Sequence, residues 1–337
     1  MGEPRRVAVL GATGHVAKCL TAGMWANPAV DMTLVVRDLA RLDAFVATLP
    51  EASSSEAWAP PRQVTFDDFG VGEYDAIINC VGFGNPAELA GASGRAVFAL
   101  TEKFDHVVLD YLEDSPETRY VSMSSGAVYG GDFSEPASER SRSVFPANQL
   151  TSLDVYGLAK LASEARHRAI PDRAIVDLRL FGLYSRHIDP HARYFMNDVY
   201  GAVVTGARLE VGAEDIKRDY VDPADLTALV LGVLDSLPRN DVFDVYSAHP
   251  VSKFEILDDF AKRYGLAYVV DEGRSSGSPT GPKLNYYSTN ERAQQVGYVP
   301  RWTSLETLRN ETDARLKLRA GVGSIKGSDR QEGRPCR

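Results

Sequence analysis

Hydrophobic residues in the first half of the chain gather into short β-branched runs. Each run is followed by a longer stretch in which apolar positions recur every three or four residues. The runs predict strands at 6–10, 32–36, 63–65, 76–80, 119–123 and 174–179. The stretches between them predict helices at 14–26, 39–49 and 95–112. In the last of these, Val97, Leu100, Phe104, Val107, Val108 and Tyr111 share one helical face. Apolar strands that alternate with helices imply a parallel sheet covered on both sides, so the expected class is α/β, a doubly wound Rossmann-type sheet.

The second half is patterned more loosely. It predicts strands at 208–211 and 242–246 and helices at 223–237, 252–264 and 304–318. The division that follows is a Rossmann domain over 1–180 and a smaller substrate-binding lobe over 181–318, with some of its segments returning to the main sheet. Residues 271–283 (DEGRSSGSPTGPK) read as a mobile loop. Residues 319–337 have little to bury and read as a disordered tail.

Composition narrows the choice of partner. At 337 residues with 44% hydrophobic and 25% charged content, the chain can bury a large core. Its net charge of −9 argues against nucleic acid or an anionic membrane, because phosphate binding needs a basic footprint. An anionic small substrate must then be met by local basic residues. Cys19, Cys80 and Cys336 suggest no disulfide framework, and Cys80 lies in the apolar run AIINCVGF as a reduced core residue. Without a signal-peptide core or a long apolar span, the expected location is cytoplasmic.

The first strand runs directly into VAVLGATGHVAK. Gly11 follows the strand and Gly14 opens the helix, with Thr13, His15 and Val16 completing the turn. A turn of this kind lets backbone N–H groups and the helix N-terminus meet a pyrophosphate. Ala17 stands where a third glycine would pack helix on strand. The second strand ends LVVRD. Arg37 suits a ribose 2′-phosphate and so favours NADP(H), while Asp38 leaves NAD(H) possible. Asp67 and Asp68, after the third strand, are candidates for the adenine edge. Cys80, Val81 and Gly82, closing the fourth, complete the expected cofactor contacts.

Ser124 and Ser125 end the fifth strand, where ligands of doubly wound sheets bind. Tyr156 and Lys160 are one helical turn apart, so both face one way. A tyrosine hydroxyl is a poor base at neutral pH, and a nearby lysine ammonium favours the phenolate. Ser125 can hydrogen-bond the oxygen whose carbon gains or loses hydride. The set suits carbonyl/alcohol interconversion, with Ser124 and Phe83 as further substrate contacts.

With these residues in place, the chain resembles an extended short-chain dehydrogenase/reductase of the branch that acts on nucleotide-activated sugars. The resemblance spans about residues 5–318. It rests on GATGHVAK, SSGAVYG, YGLAK, LRLFGLY, KRDYVDPADL and NERAQQVGYVPRWTSLE, in that order. It implies Ser125, Tyr156 and Lys160 as catalytic residues, with Lys160 also holding the nicotinamide ribose, and Arg218 as the grip on a diphosphate. It further implies a homodimer in which the helix at 95–112 and the helix carrying YGLAK pair across a two-fold axis, with Phe98, Phe104 and Tyr111 as contacts.

Departures from the family pattern matter as well. Gly182 replaces the usual Asn, and Tyr184-Ser185-Arg186 replaces YGP; both are expected at the substrate mouth. Gly126-Ala127 replaces the acidic pair of sugar dehydratases, which argues against that reaction. His187, Asp189 and His191 in HIDPH have spacing that metal ligands could use, but the chemistry needs no metal and none is expected. The reading that follows is an NADPH-dependent reductase of a nucleotide-linked keto-sugar at C4. A 4-epimerase with tightly held NAD is the alternative. A dinucleotide-binding regulator without turnover is the reading from another class, and the intact Ser125, Tyr156 and Lys160 argue against it.

Overall fold

A computed structural model describes residues 3–50, 60–83, 86–273 and 283–328. Its centre is a parallel sheet of β1 (Arg5–Leu10), β2 (Val30–Val36), β3 (Arg62–Thr65), β4 (Ala76–Asn79), β5 (Arg119–Ser125), β6 (Ile175–Leu180) and, from the second half, a strand over Asp241–Val245. Reading β7 (Leu209–Gly212) and β8 (Lys217–Arg218) in chain order makes that last strand β9, and the sheet order is β3-β2-β1-β4-β5-β6-β9. The order reverses between β1 and β4, which opens a crevice above their carboxyl ends.

Alternation along the strands divides the core. Val7, Val9, Leu34, Ile78, Val121 and Phe243 point to one face. There they meet α1 (His15–Met24), α2 (Leu39–Val46) and a helix over Pro223–Asp235. Ala8, Leu10, Val35, Ile77 and Tyr120 point to the other, where Val108 and Leu112 of a long helix over Gly94–Asp114 cover them. With α3 (Pro86–Gly91) before it, that helix is α4, followed by α5 (Ser152–Arg168), α6 (Phe195–Thr205) and α7 (Pro223–Asp235). Both faces are covered, as the continuous apolar runs predict.

A second core lies in the lobe. Here α6, β7 and α8 (Lys253–Tyr264) gather Met196, Val199, Val211, Ile256, Leu257 and Phe260 around Tyr184. Short strands brace it: β10 (Val251–Ser252), β11 (Tyr268–Asp271) and β12 (Asn285–Tyr286), with β10-β8-β12 in one sheet and β11-β7 in another. No element was expected at α6, whose Val, Thr and Gly are weak helix formers; burial of its apolar face supplies what propensity does not. The last helix, α9 (Ser304–Ser328), continues past 318 into the stretch expected to be a disordered tail. Nothing in 319–328 is a proline, so a ladder already nucleated on packed turns can extend. Residues 329–337 and 274–282, the remainder of the expected tail and most of the expected mobile loop, lie outside the described residues. Among the described residues no helix is long and apolar enough to cross a membrane.

Of the three aromatic residues expected at a dimer contact, Phe104 is buried and Phe98 and Tyr111 are half-buried within the protomer. Phe104 is buried against Phe66, Tyr111 bonds to the Gly72 carbonyl, and Phe98 packs beside α5. The exposed side of α4 instead carries Arg95, Glu102, Lys103, His106, Asp110 and Glu113.

Helix α5 is held firmly at both ends. Thr151 and Asp154 form a capping box at its start. At its far end His167, fully buried, donates to Asp105 of α4 at 2.7 Å and to Asp177 of β6 at 2.9 Å. Arg166 and Arg168 take the remaining carboxylate oxygens at 2.5 and 2.9 Å. Burial would push the imidazole down, but its hydrogen bonds to Asp105 and Asp177 overturn this and hold it up at about 9. A group raised in this way stabilises the fold fully below its ordinary value of 6.5 and loses that contribution as pH climbs through 9. Urea unfolding should therefore show stability falling between pH 6.5 and about 9, by on the order of 3 kcal/mol. His167→Gln should be less stable at pH 6.5 and nearly flat across that window; an equal slope in both proteins would assign the titration to another group.

Candidate active site

The cofactor turn is built where β1 ends. Gly11 has φ +75°, a conformation that favours glycine, and a side chain there would crowd Val81 at 3.1 Å. The Gly14 N–H closes the turn on the Gly11 carbonyl at 2.8 Å. Gly14 is the N-cap of α1 but offers no side-chain cap, so the first-turn N–H groups of His15 and Val16 stay available to an anion. Ala17 is fully buried between helix and sheet. Across the crevice, Cys80 N–H bonds the Leu10 carbonyl at 3.1 Å, and Asn79 Oδ1 fixes the Val81 N–H at 3.0 Å. Burial pushes the Cys80 thiol up to about 12, so it stays protonated. A methyl group at Gly82 would come within 3.6 Å of Lys160 Nζ. The loops after β1 and β4 thus form a side-chain-poor cradle that fits a dinucleotide, with Thr13 in its rim.

At the end of β2, Arg37 is exposed and has no hydrogen bond or ion pair among the described residues. Asp38 is committed to capping α2, where it accepts from Arg41 N–H at 3.2 Å. Asp68 accepts from Thr65 Oγ1 at 2.9 Å, and Asp67 is exposed beside it.

β5 runs on to Ser125, past its expected end at 123, so Ser124 and Ser125 are its last two residues and face opposite ways. Ser125 Oγ accepts from Ala127 N–H at 3.2 Å and lies 3.4 Å from the Tyr286 hydroxyl. Ser124 is turned into the protein and donates to Glu164 at 2.6 Å, within a cluster in which Arg179 forks onto the same carboxylate. Ser124, expected as a substrate contact, has its hydroxyl engaged by Glu164. The strand's alternation sends only one of the two serines to the crevice.

Helix α5 carries the other two residues expected to be catalytic, Tyr156 and Lys160. Gly157 lets its backbone lie against the Ala127 carbonyl, where any Cβ would collide. One residue earlier, half-buried Tyr156 packs with Phe83 and Leu89. One turn later, buried Lys160 reaches the Met123 carbonyl at 2.8 Å. Ser125, Tyr156 and Lys160 thus converge on the ends of β4 and β5.

Two residues with no motif signal complete the site. Tyr286, buried on β12, bonds Ser125 and lies within electrostatic reach of Tyr156; burial pushes its hydroxyl above the usual tyrosine range. Lys283 is buried with its ammonium 4.4 Å over the Tyr286 ring and 5.0 Å over Phe133. Burial, reinforced by the charge of Arg218, pushes Lys283 down to about 8. Arg218 donates to the Lys217 and Lys283 carbonyls and leans over Tyr286, but among the described residues its buried Nη2 has no partner. Among the described residues neither cation has a carboxylate partner. The acids of KRDYVDPAD are engaged elsewhere: Asp219 accepts from Ser247 N–H, Asp222 caps α7, and Asp225 accepts from Arg301 and Trp302 N–H.

The departures noted in the sequence have structural causes. Gly182 faces the Asp219 carbonyl so closely that a side chain could enter only if the segment moved. Tyr184-Ser185-Arg186 is not at the substrate mouth. Tyr184 is buried in the lobe, Ser185 bonds His15 of α1, and Arg186 forks onto Glu311 of α9. In HIDPH, His187 lies edge-on to Phe45, and Asp189 accepts from the His191 N–H. Among the described residues no group of three or more His, Cys, Asp or Glu could hold a metal ion.

Known proteins place this geometry in a family. No curated protein matches the sequence. Solved structures that share the fold include three epimerases. A UDP-glucose-4-epimerase from Stenotrophomonas maltophila with bound NAD and formylated UDP-arabinopyranose is 15% identical at a TM-score of 0.76, over 94% of this chain and 99% of that one. A UDP-glucuronic acid 4-epimerase from Bacillus cereus, in complex with UDP-glucuronic acid and NAD, is 16% identical at 0.73 over 93% and 99%. A UDP-glucose 4-epimerase from Bifidobacterium longum, in complex with NAD+ and UDP, is 17% identical at 0.72 over 94% and 99%. The model of the NAD dependent epimerase/dehydratase family matches residues 7–247, and with the glycine turn on β1 and the Ser125, Tyr156 and Lys160 set within that span, the chain belongs to this family.

Proposed function

We propose that the protein moves hydride at C4 of a nucleotide-activated sugar. The observation that carries this reading is the pair of cations, half-buried Arg218 and buried Lys283, stacked on Tyr286 one ring away from catalytic Ser125. Uncompensated buried charge is costly, and a diphosphate is an anion of the right valence to offset two cations. A sugar joined to that diphosphate would extend past Tyr286 toward Ser125 and Tyr156.

Each residue has a definite task. When bound, a nicotinamide dinucleotide supplies or takes up the hydride. Tyr156 gives or takes the proton on the C4 oxygen. Lys160, anchored to the Met123 carbonyl, holds positive charge one helical turn from Tyr156. The Ala127 N–H occupies one lone pair of Ser125 and leaves its hydrogen for the same C4 oxygen.

The first reading of the net reaction is 4-epimerisation with retained NAD, which the three neighbours named above support. The second is reduction of a 4-keto sugar by exchangeable NADPH. It is favoured by Arg37, exposed and unpaired among the described residues, and by Asp38, whose carboxylate is held at the α2 N-cap. Cofactor released from the purified protein separates them: stoichiometric NAD supports the epimerase, and an empty site that NADPH fills supports the reductase.

Three variants test the assignments. Tyr156→Phe should lower kcat by at least roughly 100-fold while sparing cofactor affinity; a loss of only a few-fold would remove Tyr156 from its role. Arg218→Ala and Lys283→Ala should each weaken binding of the cognate nucleoside diphosphate by at least about 10-fold, leaving the matching nucleoside unaffected. Titrations across a panel of nucleoside diphosphates that showed no such loss would defeat the sugar-nucleotide reading. Arg37→Ala should cost NADP(H) about 1.5–3 kcal/mol more than NAD(H); equal changes would show that Arg37 does not read a 2′-phosphate.

A further inference from the structure

Ser185 stands where the family resemblance expects glycine, and three groups meet at its buried hydroxyl. The His187 N–H donates to it at 3.1 Å, the Cys19 thiol donates to it at 3.2 Å, and His15 Nε2 lies 2.7 Å away. A hydroxyl has two lone pairs and one hydrogen. The backbone N–H can only donate. Burial pushes the Cys19 thiol up to about 12, so it keeps its proton and donates as well. Both lone pairs are then taken, and the Ser185 hydrogen can go only to His15 Nε2. An imidazole that accepts at Nε2 is neutral and carries its proton on Nδ1. Burial first, and then the charges of His187, Lys18 and Arg315, push His15 down to about 3, which selects the same neutral form.

His15 is the first residue of α1, directly after the uncapped Gly14, and its Nδ1 makes no hydrogen bond among the described residues. We propose that His15 is a side-chain ligand of the cofactor pyrophosphate, donating from Nδ1–H, and that Ser185, backed by Cys19, is the positioning residue that locks this tautomer. The proposal rests on the dinucleotide reading of the glycine turn. It adds an uncharged donor to the helix N-terminus. It also ties the cofactor turn to the segment whose neighbours, Tyr184 and Arg186, reach Thr312 and Glu311 of α9.

Long-range 1H–15N NMR of the cofactor-free protein reads the tautomer directly, with His15 assigned by the signal lost in His15→Asn. The wild type should show a protonated Nδ1 and a bare Nε2, and Ser185→Ala a mixture of tautomers. Calorimetric titration reads the contact. ADP-ribose, which carries the pyrophosphate, should bind about 3- to 20-fold more weakly to Ser185→Ala and to His15→Phe, with adenosine unchanged. His15→Asn, whose amide places a donor near Nδ1, should recover most of the affinity. The Ser185→Ala/His15→Phe pair should be no weaker than His15→Phe alone. A wild-type ring protonated at Nε2, or unchanged ADP-ribose affinity in both single variants, overturns the proposal. A wild type that binds neither ADP-ribose nor any nicotinamide dinucleotide would instead remove the dinucleotide reading, and the proposal with it.

Discussion

The site exists because one helix lies unusually close to the end of one strand. Gly157 brings the α5 backbone against the Ala127 carbonyl, just beyond β5, and no larger residue could stand there without moving the helix. That contact sets the height of Tyr156 and Lys160 above Ser125, and Lys160 then locks it by bonding the Met123 carbonyl on the same strand. The far end of α5 is pinned by His167 between Asp105 and Asp177. Loss of either carboxylate would leave buried charge uncompensated, which is why such a cluster resists sliding of α5 along the sheet. The placement of Ser125, Tyr156 and Lys160 is therefore inherited from packing at some distance from them.

Charge is distributed with the same locality. The whole chain carries −9, yet among the described residues Arg218 and Lys283 of its crevice form no ion pair with a carboxylate. The three acids that follow Arg218 in the sequence could have neutralised it. Asp219, Asp222 and Asp225 instead satisfy backbone N–H groups of other segments. A positive site within an acidic protein is maintained by giving the nearby carboxylates other work, and global charge says little about what such a crevice binds.

The fold was legible in the sequence wherever periodicity was strong. Each strand of the main sheet and helices α1, α2, α4, α7, α8 and α9 follow from runs and repeats that a chain of any family would have to bury. Helix α6 was not legible, since its residues prefer the helix only once Met196, Val199 and Ala202 have a lobe to enter. The paired serines show a finer limit. Their position at a strand end marks them both, but the strand had to run to Ser125 before its alternation could send Ser124 to Glu164 and Ser125 to Tyr286.

By itself the sequence determined the glycine turn, the order of strands and helices, and the Ser125, Tyr156 and Lys160 spacing, because each depends on residues a few positions apart. Only the tertiary structure decided what lies around them. Lys283 and Tyr286 reach the site from more than a hundred residues beyond Ser125, through a two-residue strand with no pattern to announce it. Gly182 and Ser185 depart from the family pattern because of the Asp219 carbonyl and His15, contacts that no local window contains. Long-range packing chooses such partners by shape and hydrogen-bond completion, and a one-dimensional pattern records neither.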